Sequence, residues 1–164
     1  MTEEMEARLR KIRAVVLDVD GVLTDGGMYY GLEGEELKKF NSRDGMGVRL
    51  LRDAGIEVAI ITGENSQAVA RRAEKLKIGE VHLGIEEKLP VLQDFASRKG
   101  LDASEIAYMG DDVNDLLCLG WVGLPAAPAD AMPPVLSIAQ LITERRGGEG
   151  AVRELADQIL SSRS

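Results

Sequence analysis

The chain has 164 residues, a length typical of one domain, and its 45% apolar and 29% charged residues are the composition of an ordinary globular protein. This composition excludes a disordered tail, a collagen-like fibre and a bundle of membrane helices. The net charge of −8 makes nucleic acids and anionic membranes poor partners, so an anionic ligand would need local positive charge or a metal ion.

Short apolar runs alternate with helical patterns along the chain. The predicted strands cover residues 14–17, 58–61, 81–83 and 106–109, with weaker candidates at 122–124 and 141–142. The predicted helices cover residues 45–53, 66–76, 89–99, 113–119 and 151–160. This alternation predicts an α/β fold, a Rossmann-like parallel sheet with helices on both faces.

The connections between these elements add a hairpin and several turns. Residues 28–30 and 37–40 flank a turn at 31–34 and predict a β-hairpin inserted after the first strand. The Ala- and Pro-rich segment 125–134 predicts a loop. Three predicted helices are each followed by a glycine that would end the helix in a left-handed conformation: Gly55, Gly100 and Gly120. We expect a single domain over residues 1–164 with a C-terminal tail at 145–164.

Acidic and hydroxyl side chains come directly after three of the predicted strands. Asp18 and Asp20 follow the first strand, Thr62 follows the second, and Asp111 and Asp112 follow the fourth. Ligands of an open parallel sheet bind at the carboxyl ends of its strands, so these groups are expected in one crevice. Four neighbouring carboxylates repel one another and require a cation, and an all-oxygen ligand set favours Mg²⁺.

The Asp-x-Asp-Gly sequence at 18–21 is common in ordinary turns, and it could also begin a calcium loop. A calcium loop is excluded because Val22, Leu23 and Tyr29 occupy its fifth, sixth and twelfth positions. The informative feature is the order of four motifs: strand-Asp-x-Asp-Gly, strand-Thr-Gly, a lysine at Lys88, and strand-Gly-Asp-Asp-x-x-Asp. This order resembles that of the haloacid dehalogenase superfamily of phosphotransferases, from residue 12 to the end of the chain.

The resemblance assigns a role to each motif residue. It implies that Asp18 is the nucleophile that becomes an aspartyl phosphate, and that Asp20 protonates the leaving oxygen and then activates water. It implies that Thr62 and Lys88 bind the phosphoryl oxygens. The implied Mg²⁺ ligands are Asp18, the backbone carbonyl of Asp20, Asp111, and either Asp112 or Asp115.

The motif spacing leaves no room for a cap domain, because Thr62 follows Asp18 by 44 positions and Lys88 follows Thr62 by 26. A bare crevice exposes the reaction to water, so we expect an oligomer whose subunits complete the site. Segments 18–26, 39–45 and 147–154 resemble the capless, tetrameric phosphatases of 3-deoxy-ulosonate biosynthesis, which implies a homotetrameric phosphatase of a sugar-acid phosphate.

In these phosphatases a glycine-rich tail and its arginine reach the active site of a neighbouring subunit. The matching residues are Gly147, Gly148, Gly150 and Arg153. Without the resemblance, a flexible linker before a terminal helix is the simpler interpretation. On the sequence alone, deletion after Glu144 is expected to weaken turnover without unfolding the core.

The family has two branches, and this sequence resembles both. One acts on 3-deoxy-D-manno-octulosonate 8-phosphate in lipopolysaccharide biosynthesis, the other on 2-keto-3-deoxynononate 9-phosphate in sialic acid-type (KDN) biosynthesis. Glu64 and Lys75 match the nine-carbon branch, and Glu149 also fits it, whereas Arg43 and the two residues after it match the eight-carbon branch. The substrate-binding candidates Arg43, Glu64 and Lys75 therefore lean slightly towards a nine-carbon substrate, with the eight-carbon compound a near-equal alternative.

Two other classes of protein share some of these features. A phosphoryl-accepting receiver domain is also small, acidic and Mg²⁺-dependent, but its phosphorylated Asp stands alone after a middle strand. A non-catalytic oligomerisation domain, of the kind fused to sugar-nucleotide synthetases, would be expected to lose Asp20 or Lys88, and both are present. We therefore prefer the phosphatase.

The remaining expectations concern the compartment. Cys118 is the only cysteine and lies in an apolar run, which predicts a buried thiol in a reducing environment. No apolar run approaches the ~18 residues that span a bilayer. The first eleven residues carry charges of both signs and lack a signal core. A soluble, cytoplasmic protein is expected.

Overall fold

The sheet is built from short apolar strands, as the sequence predicts. A computed structural model describes residues 1–163. Its strands are β1 (Ala14–Leu17), β2 (Tyr29–Gly31), β3 (Gly34–Leu37), β4 (Glu57–Ile61), β5 (Glu80–His82), β6 (Ile106–Met109), β7 (Leu124–Ala127) and β8 (Leu141–Ile142). Its α-helices are α1 (Glu3–Lys11), α2 (Ser42–Asp53), α3 (Gln67–Lys75), α4 (Lys88–Lys99), α5 (Leu116–Trp121), α6 (Pro133–Leu136) and α7 (Ala151–Ser161). None of these helices, over the described range, has the length and apolar character needed to cross a bilayer.

Six strands form one parallel sheet in the order β5-β4-β1-β6-β7-β8. All four residues of β1 are buried because helices cover both faces. Val15 and Leu17 point into the core shared with α2 and α7, whereas Ala14 and Val16 point into the core shared with α4 and α5. The predicted Rossmann-like α/β fold is confirmed, and no cap domain is present in residues 1–163.

The hairpin lies outside this sheet, as a separate pair of antiparallel strands. Its first strand, β2, covers most of the predicted segment. Its second strand, β3, begins inside the predicted turn and ends at Leu37, so Lys38 and Lys39 follow the strand instead of belonging to it. Phe40 makes only an isolated bridge with Thr24. The hairpin is thus confirmed with a tighter turn and a shifted second strand.

Several predicted boundaries are wrong. Gly120 does not end a helix: it lies inside α5 without a positive φ, whereas Gly55 and Gly100 have the expected φ values of +78° and +63°. The strand predicted at 122–124 is displaced, because Val122 caps α5 and β7 instead occupies part of the predicted loop 125–134. The same segment also contains the start of α6, which begins with two prolines where a missing backbone N–H costs nothing.

Helix α1 was not predicted at all, because its sequence has almost no apolar face. The features of the sequence that favour this helix are an N-terminal cap and the charges at its two ends. Thr2 caps the helix by accepting a hydrogen bond from the Met5 amide at 3.2 Å. Acidic residues occupy the first turn and basic residues the last, which suits the helix dipole.

The C-terminal segment is part of the core. Helix α7 packs against α2 and buries its apolar face, which consists of Ala151, Val152, Leu155, Ala156 and Ile159. A side chain at Gly47 of α2 would come within 2.9 Å of the Arg153 backbone, so the two helices approach closely. The expectation that deletion after Glu144 spares the core is therefore wrong.

A buried carboxylate connects these two helices. Asp44 of α2 is 1% exposed, and its two oxygens accept hydrogen bonds from the backbone amides of Gly150 (3.3 Å) and Arg153 (3.0 Å) at the start of α7. An anion at this position also suits the dipole of α7. Asp44 therefore fixes the N-terminus of the C-terminal helix.

We expect Asp44→Ala to lower the free energy of unfolding by about 1–3 kcal/mol, because it leaves buried amides without acceptors. Asp44→Asn should cost less, since it keeps one carbonyl acceptor. Urea denaturation followed by circular dichroism measures both. Asp53→Ala, at an exposed acidic residue of the same helix, is the matched control. Equal denaturation midpoints for Asp44→Ala and Asp53→Ala would contradict this role.

Candidate active site

A cavity of about 280 Å³ opens at the carboxyl ends of β1, β4 and β6. Its lining residues are Asp18, Asp20, Gly26, Met28, Thr62, Gly63, Glu64, Asp111, Asp112 and Asn114. The polar groups that follow three separate strands in the sequence thus meet in one place, where a parallel sheet binds its ligands.

Asp18 and Lys88 form a buried ion pair at the base of this cavity. Asp18 is 5% exposed, and its backbone amide continues the sheet by donating to the Met109 carbonyl at 3.1 Å. The Lys88 ammonium lies 3.0 Å from Asp18 Oδ1 and 2.9 Å from Asp115 Oδ1. Burial alone would lower the pKa of Lys88, but the two carboxylates outweigh it and raise the pKa. Lys88 therefore remains charged.

Asp115 organises this region from a fully buried position. Its Oδ1 accepts hydrogen bonds from Lys88 and from the Tyr108 hydroxyl, at 2.9 and 2.6 Å, and its Oδ2 accepts from the Asp111 amide at 3.0 Å. A side chain at Gly110 would collide with the Asp115 carboxyl at 2.5 Å. Sequence reasoning missed Tyr108, whose apolar strand neighbours predict only a core residue.

Three carboxylates gather where the sequence predicts a metal site. Oxygen atoms of Asp18, Asp111 and Asp115 lie within 4.8 Å of one another. Burial and the nearby Asp115 charge raise the pKa of Asp18 well above its usual value. Burial, with repulsion from Asp115 and Asp112, raises the pKa of Asp111 to about 6. One ammonium does not compensate three carboxylates, so this all-oxygen group fits a hard divalent cation such as Mg²⁺.

Two further residues are predicted at the metal: Asp112 and, through its backbone carbonyl, Asp20. Asp112 is exposed, and its Oδ1 accepts a hydrogen bond from the Val113 amide at 2.7 Å, although the residue also lines the cavity. The Asp20 carboxylate is paired with Lys38 at 2.7 Å and stands apart from the cluster. Of the alternatives Asp112 and Asp115, the structure brings Asp115 into the group.

Gly21 allows Asp111 to approach the loop that follows β1. Its φ of +83° lies in the left-handed region, and a Cβ atom there would come within 1.9 Å of Asp111 Oδ2. Any larger residue would therefore push the Asp111 carboxylate out of the cluster.

Thr62 and Glu64 form the opposite wall of the cavity. Thr62 is buried at the end of β4, and its hydroxyl oxygen accepts a hydrogen bond from the Glu64 amide at 3.4 Å. Glu64 is exposed and lines the cavity.

The remaining predicted substrate-binding residues lie outside this cavity in the single chain. Arg43, Gly150 and Arg153 line a second cavity of about 700 Å³, and Lys75 lines a third of about 580 Å³. Gly147 and Gly148 pack against the loop after β1 of their own chain. The Gly148 amide donates to the Val22 carbonyl at 3.0 Å, and a Cβ at Gly147 would lie 1.8 Å from the Gly21 oxygen.

Comparison with known proteins identifies a family. A model of haloacid dehalogenase-like hydrolases matches residues 86–155. A relative from Yersinia pestis, named 3-deoxy-D-manno-octulosonate 8-phosphate phosphatase KdsC, is 41% identical over 160 residues, which cover 98% of this chain and 86% of the relative. A relative of the same name from Escherichia coli K12 is 42% identical over 160 residues, covering 98% of this chain and 85% of the relative.

Solved structures of such phosphatases have the same fold. The 1.95 Å crystal structure from Yersinia pestis has a TM-score of 0.97 and 40% identity, and the match covers 99% of this chain and 88% of that one. A crystal structure from Moraxella catarrhalis, in complex with a magnesium ion, a phosphate ion and a KDO molecule, has a TM-score of 0.95 and 36% identity. That match covers 99% of this chain and 94% of the other.

The raised pKa of Asp111 predicts a pH-dependent stability in the metal-free protein. The folded state binds an extra proton between the unfolded value near 3.8 and the folded value of about 6, so stability should fall as pH rises through this window. In a chelator, the melting temperature should drop between pH 5 and pH 7.5 by a few degrees more in the wild type than in Asp111→Asn. Differential scanning calorimetry measures the difference.

Added Mg²⁺ should raise the melting temperature more at pH 7.5 than at pH 5, because protons and the cation compete for the same carboxylates. Asp53→Asn, at an exposed site, serves as the control and should follow the wild type. An identical pH dependence in Asp111→Asn and wild type would rule out this carboxyl as the source.

Proposed function

The chain belongs to the haloacid dehalogenase-like hydrolases and is a phosphatase, and we propose that its substrate is the phosphate ester of a 3-deoxy-ulosonate. The main candidate is 3-deoxy-D-manno-octulosonate 8-phosphate, because relatives about 41% identical over nearly the whole chain carry that activity in their names. The observation that carries the proposal is the Lys88 ammonium between Asp18 and Asp115, beside Asp111, at the open ends of the strands.

The reaction follows from two carboxylates with opposite tasks. The Asp18 carboxylate attacks phosphorus, forming an aspartyl phosphate while the bond from phosphorus to the sugar oxygen breaks. Asp20 gives its proton to that leaving oxygen. It then takes a proton from water, which attacks the phosphorus of the aspartyl phosphate, releases inorganic phosphate and restores Asp18. Asp20 lies two residues after Asp18 and lines the same cavity, so it can serve both steps.

Mg²⁺ is the cofactor of this reaction. Asp18 and Asp111 would hold it, together with the Asp20 backbone carbonyl and either Asp112 or Asp115. When bound, Mg²⁺ supplies positive charge that offsets the repulsion between an anionic substrate and an anionic nucleophile. Lys88 and the Thr62 hydroxyl are proposed to bind the phosphoryl oxygens, and the charge of Lys88 partly opposes the rise that burial and Asp115 cause in the pKa of Asp18.

The nine-carbon ester 2-keto-3-deoxynononate 9-phosphate is a second candidate, because of Glu64. This carboxylate lines the cavity directly after Thr62. It can accept hydrogen bonds from the hydroxyl groups of a longer polyol, which an arginine cannot do. The names of the relatives favour the eight-carbon ester and lipopolysaccharide biosynthesis, whereas Glu64 favours the nine-carbon ester and a sialic acid-type pathway.

The two non-phosphatase interpretations are less consistent with the site. In a receiver domain no second carboxylate is needed to activate water, yet Asp20 shares the cavity with Asp18. A non-catalytic oligomerisation domain does not need a buried lysine at the phosphate site. Here Lys88 is buried and forms ion pairs with two carboxylates. Both features favour a phosphatase over a receiver domain or an oligomerisation domain.

We further propose that the protein is a homotetramer in the cytoplasm. The hairpin exposes a row of large apolar side chains: Met28, Tyr29, Tyr30, Leu32 and Leu37. Exposed apolar patches mark interaction sites. A neighbouring subunit would also bring Arg43, Lys75, Arg153 and the glycines Gly147, Gly148 and Gly150 near a site that has no cap.

The buried thiol of Cys118, whose pKa burial raises to about 12, suits a reducing compartment such as the cytoplasm.

We expect Asp18→Asn to abolish Mg²⁺-dependent release of phosphate from 3-deoxy-D-manno-octulosonate 8-phosphate, because an amide cannot form the covalent intermediate. The rate should fall by at least about 10³-fold, and a chelator should abolish wild-type turnover. A colorimetric phosphate assay measures the rates, with Asp53→Asn as a folded control.

The same assay with 2-keto-3-deoxynononate 9-phosphate compares the two substrates by kcat/KM. A higher value for the eight-carbon ester supports the main candidate, and a much higher value for the nine-carbon ester would replace it. Full activity of Asp18→Asn, or turnover unaffected by chelation, would overturn the phosphatase mechanism itself.

We expect a double substitution in the hairpin, Tyr30→Asp with Leu32→Asp, to reduce the assembly to the mass of one chain. The carboxylates would be buried without partners in an apolar interface. Sedimentation velocity measures the mass. Leu117→Asp, at an exposed leucine of α5, is the matched control and should keep the wild-type mass. An unchanged mass in the hairpin variant would place the interface elsewhere.

A further inference from the structure

Lys38 turns its side chain away from solvent and towards Asp20 of the active site. It follows β3, and its side chain is 0% exposed, whereas that of the neighbouring Lys39 is 65% exposed. Its ammonium lies 2.7 Å from Oδ1 of Asp20 and 2.8 Å from Oε2 of Glu35. A lysine is rarely buried to this extent unless it is paired, so the local structure is organised around this contact.

The contact continues to a second element of the site. Glu35, which pairs with Lys38 through Oε2, accepts a hydrogen bond from the Ser66 hydroxyl through Oε1. Ser66 caps α3, and its Oγ accepts from the Val69 amide at 3.4 Å. Asp20 is thereby connected, through Lys38 and Glu35, to the helix that begins just after Thr62 and Glu64.

Charge explains why this arrangement depends on Lys38. Asp20 and Glu35 are both carboxylates, and each lies within 3 Å of the same ammonium. At 2.7 and 2.8 Å, both carboxylate oxygens are close enough to form an ion pair with the ammonium, which compensates their charges. Without the ammonium, the Asp20 carboxylate would lose the partner that holds its Oδ1, and it would turn away towards solvent.

We propose that Lys38 is a positioning residue that fixes the Asp20 carboxylate in the cavity. It holds Asp20 by Oδ1, which leaves Oδ2 to meet the leaving oxygen of the substrate. The proposal rests on the proposed function, in which Asp20 protonates that oxygen. Lys38 therefore affects the protonation of the leaving oxygen while the aspartyl phosphate forms, and afterwards the activation of water by the same Asp20 carboxylate.

The test compares two leaving groups in the presence of Mg²⁺. The alkoxide of a sugar-acid phosphate needs protonation, whereas the p-nitrophenolate of p-nitrophenyl phosphate leaves without it. We use kcat/KM, which reports on formation of the aspartyl phosphate and excludes its hydrolysis, a step that is the same for both substrates. We expect Lys38→Met to lower kcat/KM for 3-deoxy-D-manno-octulosonate 8-phosphate by about 10- to 100-fold and for p-nitrophenyl phosphate by less than about threefold. Lys39→Met, which removes an exposed lysine one position away, should match the wild type.

A double variant distinguishes the loss of Asp20 positioning from the effect of an uncompensated pair of carboxylates, which would also destabilise the local fold. Glu35→Gln with Lys38→Met removes the ammonium together with one of the carboxylates that it compensates, so no repelling pair remains. The selective loss with the sugar-acid phosphate should persist, because Asp20 still lacks its partner. Recovery of the wild-type ratio of the two kcat/KM values would overturn the proposal, as would equal losses of kcat/KM on both substrates in Lys38→Met.

Asp20→Asn distinguishes failure of this inference from failure of the proposed function. If Asp20→Asn shows the leaving-group-dependent loss and Lys38→Met does not, Asp20 is the acid and Lys38 does not position it. If Asp20→Asn shows no such dependence, the acid role of Asp20 fails, and the proposal for Lys38 fails with it.

Discussion

The clustering of three carboxylates, two of them buried and one half-buried, beside a single ammonium is the constraint on which the rest of this structure depends. Removing charged groups from water is costly, and Lys88 compensates only part of the negative charge of Asp18, Asp111 and Asp115. The protein offsets the remainder for Asp115 with neutral donors, the Tyr108 hydroxyl and backbone amides. Asp18 and Asp111 keep raised pKa values, so the site stays short of positive charge until a cation binds.

The fold brings these charges together through its parallel strands. Every strand of the main sheet ends at the same edge, so groups far apart in the sequence become neighbours without long side chains. The loop after β1 must then pack closely against the neighbouring segments. Gly21 admits the Asp111 carboxylate from one side, and Gly147 and Gly148 admit the C-terminal segment from another. The glycine-rich segment therefore supports the active-site loop of its own chain, whatever it contacts in an assembly.

The sequence predicted those features that follow from local pattern or from strand direction. Apolar runs located β1 and β4, and the polar residues after them indicated the site. Boundaries were missed where signals compete: Gly120 suggests a helix end but lies inside α5, and the prolines around β7 suggest a loop. Lys38 could not be found, because a Lys-Lys pair in a hairpin is normally solvated and its burial depends on Asp20, eighteen positions earlier.

The hairpin resolves a difficulty that the absence of a cap domain creates. In a site open to solvent, an acid on a flexible loop would sample many orientations, and only a few of them meet the leaving oxygen. A cap domain that covered the site would restrict the orientation of this acid. Here the hairpin restricts the orientation of Asp20, because Lys38 and Glu35 connect Asp20 to the hairpin and to the start of α3. The outer face of the same hairpin carries the exposed apolar side chains of Tyr30 and Leu32. A subunit that packed on that face would make the hairpin more rigid, and with it the position of Asp20, so assembly and proton transfer would be coupled through one short pair of strands.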